Sequence, residues 1–251
     1  MIGIGHPFVG NFTQEISAVA QFRGITKLDL SFSSLSDTTS TNTFAEYIKR
    51  DQALRSLNLN CCRLLNGEST AYLLRSIGDS TITELVVDFN KLTGQVVEDA
   101  FIYMLTNNRL FQTISASLCG FTENFIKTRL LIALGELPSL NQLYISENRI
   151  GDMVELKDLI IKLLTTRPML HRLDISSNYL SGRFLRDLAE SLVRKRGRTL
   201  LFNGLNISFN MSQNETSDTK DFIKDTFTSL SEYLNCMILY EDYGVEHAAQ
   251  M

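Results

Sequence analysis

"LNQLYISENRI", residues 140–150, and "LHRLDISSNYL", residues 170–180, share one rhythm. Apolar side chains fall at the first, fourth, sixth and eleventh places of each, and an asparagine at the ninth. That spacing fits neither the 3.6-residue period of a helix nor the unbroken alternation of a long strand. Places four and six flank a single residue on the opposite face, the pattern of a short strand with one side buried. At place nine the chain turns away from that strand, and an Asn amide there both donates to and accepts from the backbone.

The same rhythm recurs along the chain. "ITKLDLSFSSL" begins at Ile25, "LRSLNLNCCRL" at Leu54, "ITELVVDFNKL" at Ile82 and "FQTISASLCGF" at Phe111. A looser copy, "FNGLNISFNMS", begins at Phe202 and a worn one, "LNCMILYED", at Leu234. Successive starts lie 29, 28, 29, 29, 30, 32 and 32 residues apart. Intervals this even mark a repeat architecture, in which each unit buries its apolar face against its neighbours. Place nine reads Ser33, Cys62, Asn90, Cys119, Asn148, Asn178 and Asn210. These are expected to be structural turn positions, with Cys serving as a small, burial-tolerant residue with a weak donor.

Between the strand segments the period changes to that of a helix. Residues 93–110 place Val97, Ala100, Phe101, Met104 and Leu105 on one face. Residues 151–168 do the same with Leu156, Leu159, Ile160, Leu163 and Leu164, and stop before Pro168. Phe184, Leu185, Leu188 and Leu192 form a third face, and Phe222, Ile223, Phe227 and Leu230 a fourth. Each repeat is therefore predicted to be a strand, a turn and a helix. The pattern L-x-x-L-x-L-x-x-N/C-x-L resembles the leucine-rich repeat, and its period near 29 resembles the ribonuclease-inhibitor-like class of that family. The resemblance implies an α/β solenoid, a curved horseshoe with parallel strands on the concave face and helices on the convex face.

Three stretches follow from this reading. Residues 1–24 hold an N-terminal helix or partial capping repeat, with Phe12, Ile16, Val19 and Phe22 turned inward. Residues 25–240 form a solenoid of about eight repeats, and residues 241–251 a polar tail. Too few residues precede the first helix for a full strand and turn, so the chain is expected to cap itself there or to be part of a longer repeat protein.

Composition narrows the partners. With a net charge of −4 the chain is not built mainly for nucleic acid or anionic membrane. Its longest apolar run is far shorter than a membrane span. The start lacks the features of a secretory signal, and four cysteines, two of them adjacent, do not make a disulfide framework. The chain is expected to be cytoplasmic with reduced thiols, and the sequons at Asn11, Asn206, Asn210 and Asn214 to be chance matches.

No cofactor or metal is expected. His6, His171 and His247 have no metal-ligand spacing, and the Cys61–Cys62 pair reads as part of a turn. "GIGHPFVG", residues 3–10, resembles a glycine-rich phosphate loop only in passing, because no strand is expected before it and Pro7 spoils a helix start. The basic run at Arg194, Lys195, Arg196 and Arg198 closes a helix, where cations complement the dipole. No P-loop, nucleophile elbow or zinc-protease motif occurs, and no enzyme is expected.

What remains is the strand wall, read from places three, five and seven. It carries Lys27, Asp29, Ser31, Ser56, Asn58, Asn60, Glu84, Val86, Asp88, Thr113, Ser115 and Ser117. It continues through Gln142, Tyr144, Ser146, Arg172, Asp174, Ser176, Gly204, Asn206 and Ser208. Hot spots favour Tyr and Arg, so Tyr144, Arg172 and Asp174 form the candidate contact centre, with Asn58, Glu84 and Asp88 as further protein-binding residues. The alternative is that small polar groups merely keep an open wall soluble. The segment "LDISSNYLSGRFLRDLAESLVRK" and the longer repeat after it, with the insertion "NISFNMSQNETSDTKDFIKD", resemble in layout the repeat region of the CARMIL actin-regulating family. That resemblance implies a non-enzymatic scaffold or self-association surface in the actin cytoskeleton. Alternatives are an enzyme regulator of the RanGAP or ribonuclease-inhibitor kind, from which the chain departs in lacking an acidic tail and a wall rich in cysteine and aromatics, or an innate-sensing or effector repeat domain.

Overall fold

The computed structural model describes residues 2–3, 17–19, 21–65, 67–166, 170, 172–194, 225 and 228. The chain divides into two compact units, residues 1–140 and 141–251. It is an α/β protein in which short parallel strands alternate with helices.

In the first unit, strands β1 (Ile2–Gly3), β2 (Lys27–Asp29), β3 (Ser56–Asn58), β4 (Glu84–Val86) and β5 (Thr113–Ser115) pair in parallel and in chain order. Leu28, Leu57, Leu85 and Ile114 stand side by side, so place four of each repeat meets place four of the next. The ladder continues past the strands. Phe32, Cys61 and Phe89 donate their N–H groups to the carbonyls of Asn60, Asp88 and Ser117, so the turns are hydrogen-bonded rung to rung. In the second unit β6 (Gln142–Tyr144) and β7 (Arg172–Asp174) pair in the same register, Leu143 beside Leu173.

The residues at places one, four, six, nine and eleven are buried in all six described repeats from Ile25 to Leu180. A three-residue strand buries little alone, so stacking removes most of this apolar area from water, at about 25 cal/mol per Å². Helices α1 (Thr38–Arg50), α2 (Gly67–Gly78) and α3 (Gln95–Asn107) follow the first three turns. Asp37 caps α1 by accepting the Ser40 N–H at 2.7 Å, and Lys49 and Arg50 complement the dipole at the other end. Val97, Ala100, Phe101, Met104 and Leu105 of α3 are all buried, as their spacing predicts. The helix of the fourth repeat is broken into α4 (Glu123–Phe125), a π-helical stretch Ile126–Leu130 and α5 (Leu131–Gly135). In the second unit, α6 (Val154–Thr166) buries Leu156, Leu159, Ile160 and Leu163, and α7 (Gly182–Arg194) buries Phe184 and Leu188.

Two expectations are corrected at the N-terminal end. Residues 17–19 are helical and Val19 is buried, but the helix has given way to a turn by Gln21, and Phe22 is 56% exposed instead of facing inward. The two-residue strand Ile2–Gly3 pairs with Leu28 and Asp29, so a strand does lead into the glycine-rich stretch. Residues 225 and 228 are helical, while Phe222, Ile223, Phe227 and Leu230 lie outside the described residues, as do Phe12, Ile16, the three histidines, the sequons and Lys195–Arg198.

Candidate binding surface

The asparagines at the turn positions are tied by their side chains into the backbone. Asn90 Nδ2 donates to the carbonyls of Leu59 at 2.8 Å, Val87 at 2.9 Å and Asp88 at 3.1 Å. Its Oδ1 accepts from the N–H groups of Cys62 at 3.0 Å and Leu64 at 3.3 Å. One amide thus ties its own turn to the preceding one. Asn178 repeats the arrangement, donating to Ile145 and Ile175 at 2.9 Å and accepting the Asn148 N–H at 2.8 Å. Asn148 Nδ2 holds the carbonyls of Ile145 and Ser146 at 3.2 Å. Asn210 lies outside the described residues.

Cysteine fills the same rung with fewer bonds. Cys62 Sγ donates to the Leu30 carbonyl at 3.0 Å and its sulfur faces the Ser33 N–H. Cys119 Sγ donates to Val87 at 3.4 Å and faces the Asn90 N–H. Burial pushes the Cys62 thiol up to about 12 and raises Cys119 as well, so neither forms a thiolate near neutrality. Cys61, next door, is only half-buried. Iodoacetamide at pH 8 is expected to alkylate Cys61 while sparing Cys62 and Cys119 until denaturant is added, as read by peptide mass spectrometry. Rapid labelling of Cys62 in the native protein would contradict its place in the turn. No cluster with metal-ligand geometry occurs among the described residues.

On the strand face the side chains have two different jobs. Asp29, Asn58 and Asp174, all at place five, each accept the N–H two residues on, at 2.9, 3.0 and 2.9 Å. Asp88 Oδ1 accepts the Ser117 N–H at 2.7 Å, and both its oxygens lie 2.8 Å from Ser115 Oγ. Asn58, Asp88 and Asp174 therefore hold the strand exits in shape in addition to facing outward. Tyr144 donates to Gln142 Oε1 at 2.9 Å, and Arg172 Nη1 reaches the Tyr144 hydroxyl at 3.5 Å. The expected Tyr144–Arg172 pair is thus brought together, with Arg172 exposed and Tyr144 half-buried. Glu84 stands half-buried at place three, its N–H donating to the Arg55 carbonyl at 2.9 Å. Gly204, Asn206 and Ser208 lie outside them.

Place eight holds residues that sequence reasoning passed over. Phe32, Cys61, Phe89, Leu118, Glu147 and Ser177 all have left-handed backbones, with φ between 51° and 61°. Phe32, Phe89 and Leu118 are large apolar side chains standing in solvent there. The signal was present in the aligned repeats, as apolar residues at a place the core does not use.

No protein-family model matches the chain, and no curated protein matches it. No helix among the described residues is long and apolar enough to cross a membrane.

Proposed function

We propose that the chain is a leucine-rich-repeat solenoid of the ribonuclease-inhibitor-like class that binds another protein through its strand face, as a non-enzymatic scaffold in control of the actin cytoskeleton. The observation that supports this reading is the one-sided burial of the parallel strands. Place four is buried in every described repeat, while places three and five stay half-buried or exposed in β2, β3, β4, β6 and β7. Parallel sheets usually have both faces covered, so a parallel face left open is a surface for a partner. Its polar, mixed-charge side chains suit a contact governed by complementarity of charge. The CARMIL-like layout is what points to the cytoskeleton.

The test is site-specific photo-crosslinking in cell lysate. Benzoylphenylalanine in place of Tyr144 is expected to give a discrete protein adduct, and the same group in place of Thr106, exposed on α3, none. The adduct is expected to fade with the Arg172→Ala substitution. Adducts only from position 106, or equal adducts from both, would sink the strand-face reading. An actin-regulating protein in the adduct supports the scaffold, and a GTPase in it favours the regulator.

A further inference from the structure

The exposed apolar residues at place eight form a row along the turns of the first unit. Phe32 is 59% exposed, Phe89 52% and Leu118 41%, with half-buried Cys61 between the two phenylalanines. The N–H groups of Phe32, Cys61 and Phe89 are each bonded to the next turn, so the row follows the strand spacing of about 4.8 Å and runs about 14 Å from Phe32 to Leu118.

The fold does not ask for these residues. Place eight adopts a left-handed backbone in all six described repeats, which favours Gly, Asn or Asp and is unusual for a bulky side chain. In the second unit Glu147 and Ser177 make the same turn with polar side chains. Two phenylalanines and a leucine at these places work against both backbone preference and exposure to water, and they fill no core. Apolar groups exposed in a continuous line mark an interaction surface.

The charge beside the row names the occupant. Place ten lies just beyond the buried ninth side chain, and there the first unit has Arg63 and Lys91, both exposed and free of ion pairs among the described residues. The acids on the strand side, Asp29 and Asp88, are already engaged by the Ser31 N–H and by Ser115 and Ser117. We propose that this row is a docking site for an extended acidic peptide segment of a partner protein, its alternate apolar side chains seated on Phe32, Phe89 and Leu118 and its carboxylates facing Arg63 and Lys91. The row's length of about 14 Å matches about four steps of extended chain, enough for three alternate side chains of a five-residue stretch. This site is separate from the strand face.

The probe is a short fluorescein-labelled synthetic peptide in which phenylalanine and leucine alternate with aspartate, with a counterpart carrying lysine in place of aspartate. Fluorescence anisotropy is expected to show wild-type protein binding the acidic peptide, more weakly as salt rises, and not the basic one. The Phe32→Asn/Phe89→Asn variant suits the left-handed backbone and is expected to keep the wild-type urea midpoint while losing about tenfold or more in affinity. Arg63→Glu/Lys91→Glu is expected to lose a similar factor, and Thr106→Ala, on the exposed side of α3, to lose none. The proposal is overturned if wild type fails to bind, if the basic peptide binds equally, or if the Asn variant binds unchanged. It is also overturned if sedimentation finds a wild-type dimer that the Asn variant abolishes, because the row is then covered by a second copy.

Discussion

Replacing Asn90 with leucine is expected to lower the stability of the protein by about 4 kcal/mol, read as a drop in the urea midpoint. The shape of leucine is close to that of asparagine, so the loss is one of hydrogen bonds. The Leu59 carbonyl loses its donor, the Val87 and Asp88 carbonyls keep only Cys119 Sγ and the Cys61 N–H, and the N–H groups of Cys62 and Leu64 lose their acceptor in a buried turn. A buried donor left without a partner costs about 1–3 kcal/mol, which dominates the sum. Asn90→Cys is the informative comparison, because Cys62 and Cys119 occupy equivalent rungs. The thiol still donates once and its sulfur still meets the preceding N–H, so a loss of about 2 kcal/mol is expected, half that of leucine. If cysteine and leucine cost the same, the rung is held by packing and the amide's hydrogen bonds contribute little.

The same rung explains how much of the fold could be read in advance. In-register stacking puts each place beside its own copy, so aligning the repeats predicts burial at places one, four, six, nine and eleven together. Leu57 and Leu59, or Leu173 and Ile175, needed no further information. The side-chain bonds at place five were not legible, because whether Asp174 faces a partner or takes the Ser176 N–H depends on how tightly the backbone curls after the strand. The left-handed backbone of Phe89 was hidden for a related reason. It is imposed by the need to bury the next residue, Asn90, and phenylalanine itself carries no preference for it. Residues 126–130 look as helical as their neighbours, and the π-helical stretch there has no local sequence mark. Of the candidate contact centre, the Tyr144–Arg172 pairing followed from register, since β6 and β7 set places five and three one rung apart.

Stacking also limits how thick each helix layer can be, and Gly78 is where the limit is tightest. It ends α2 against α3, and a Cβ built there would lie 2.9 Å from the Met104 Cα and 3.3 Å from the Tyr103 ring. The first of these is backbone, which has no rotamer by which to move aside. The neighbouring bonds prevent the helices from drifting apart, because Tyr103 donates to Asp79 at 2.7 Å and Asn107 Nδ2 donates to the Gly78 carbonyl at 3.2 Å and to Asp79 at 2.9 Å. Gly78→Ala is therefore expected to destabilise by about 2–3 kcal/mol, although alanine is the better helix former. Gly67, at the opposite end of the same helix, has nothing within 4 Å of its would-be Cβ. Gly67→Ala is expected to be neutral or to stabilise by about 0.4 kcal/mol, through the loss of freedom in the unfolded chain. Urea unfolding of the two variants separates the effects, since both make the same chemical change in one helix. Equal midpoints would mean that α2 and α3 are not pressed together at Gly78, and that the spacing between repeats is set by the strands and turns alone.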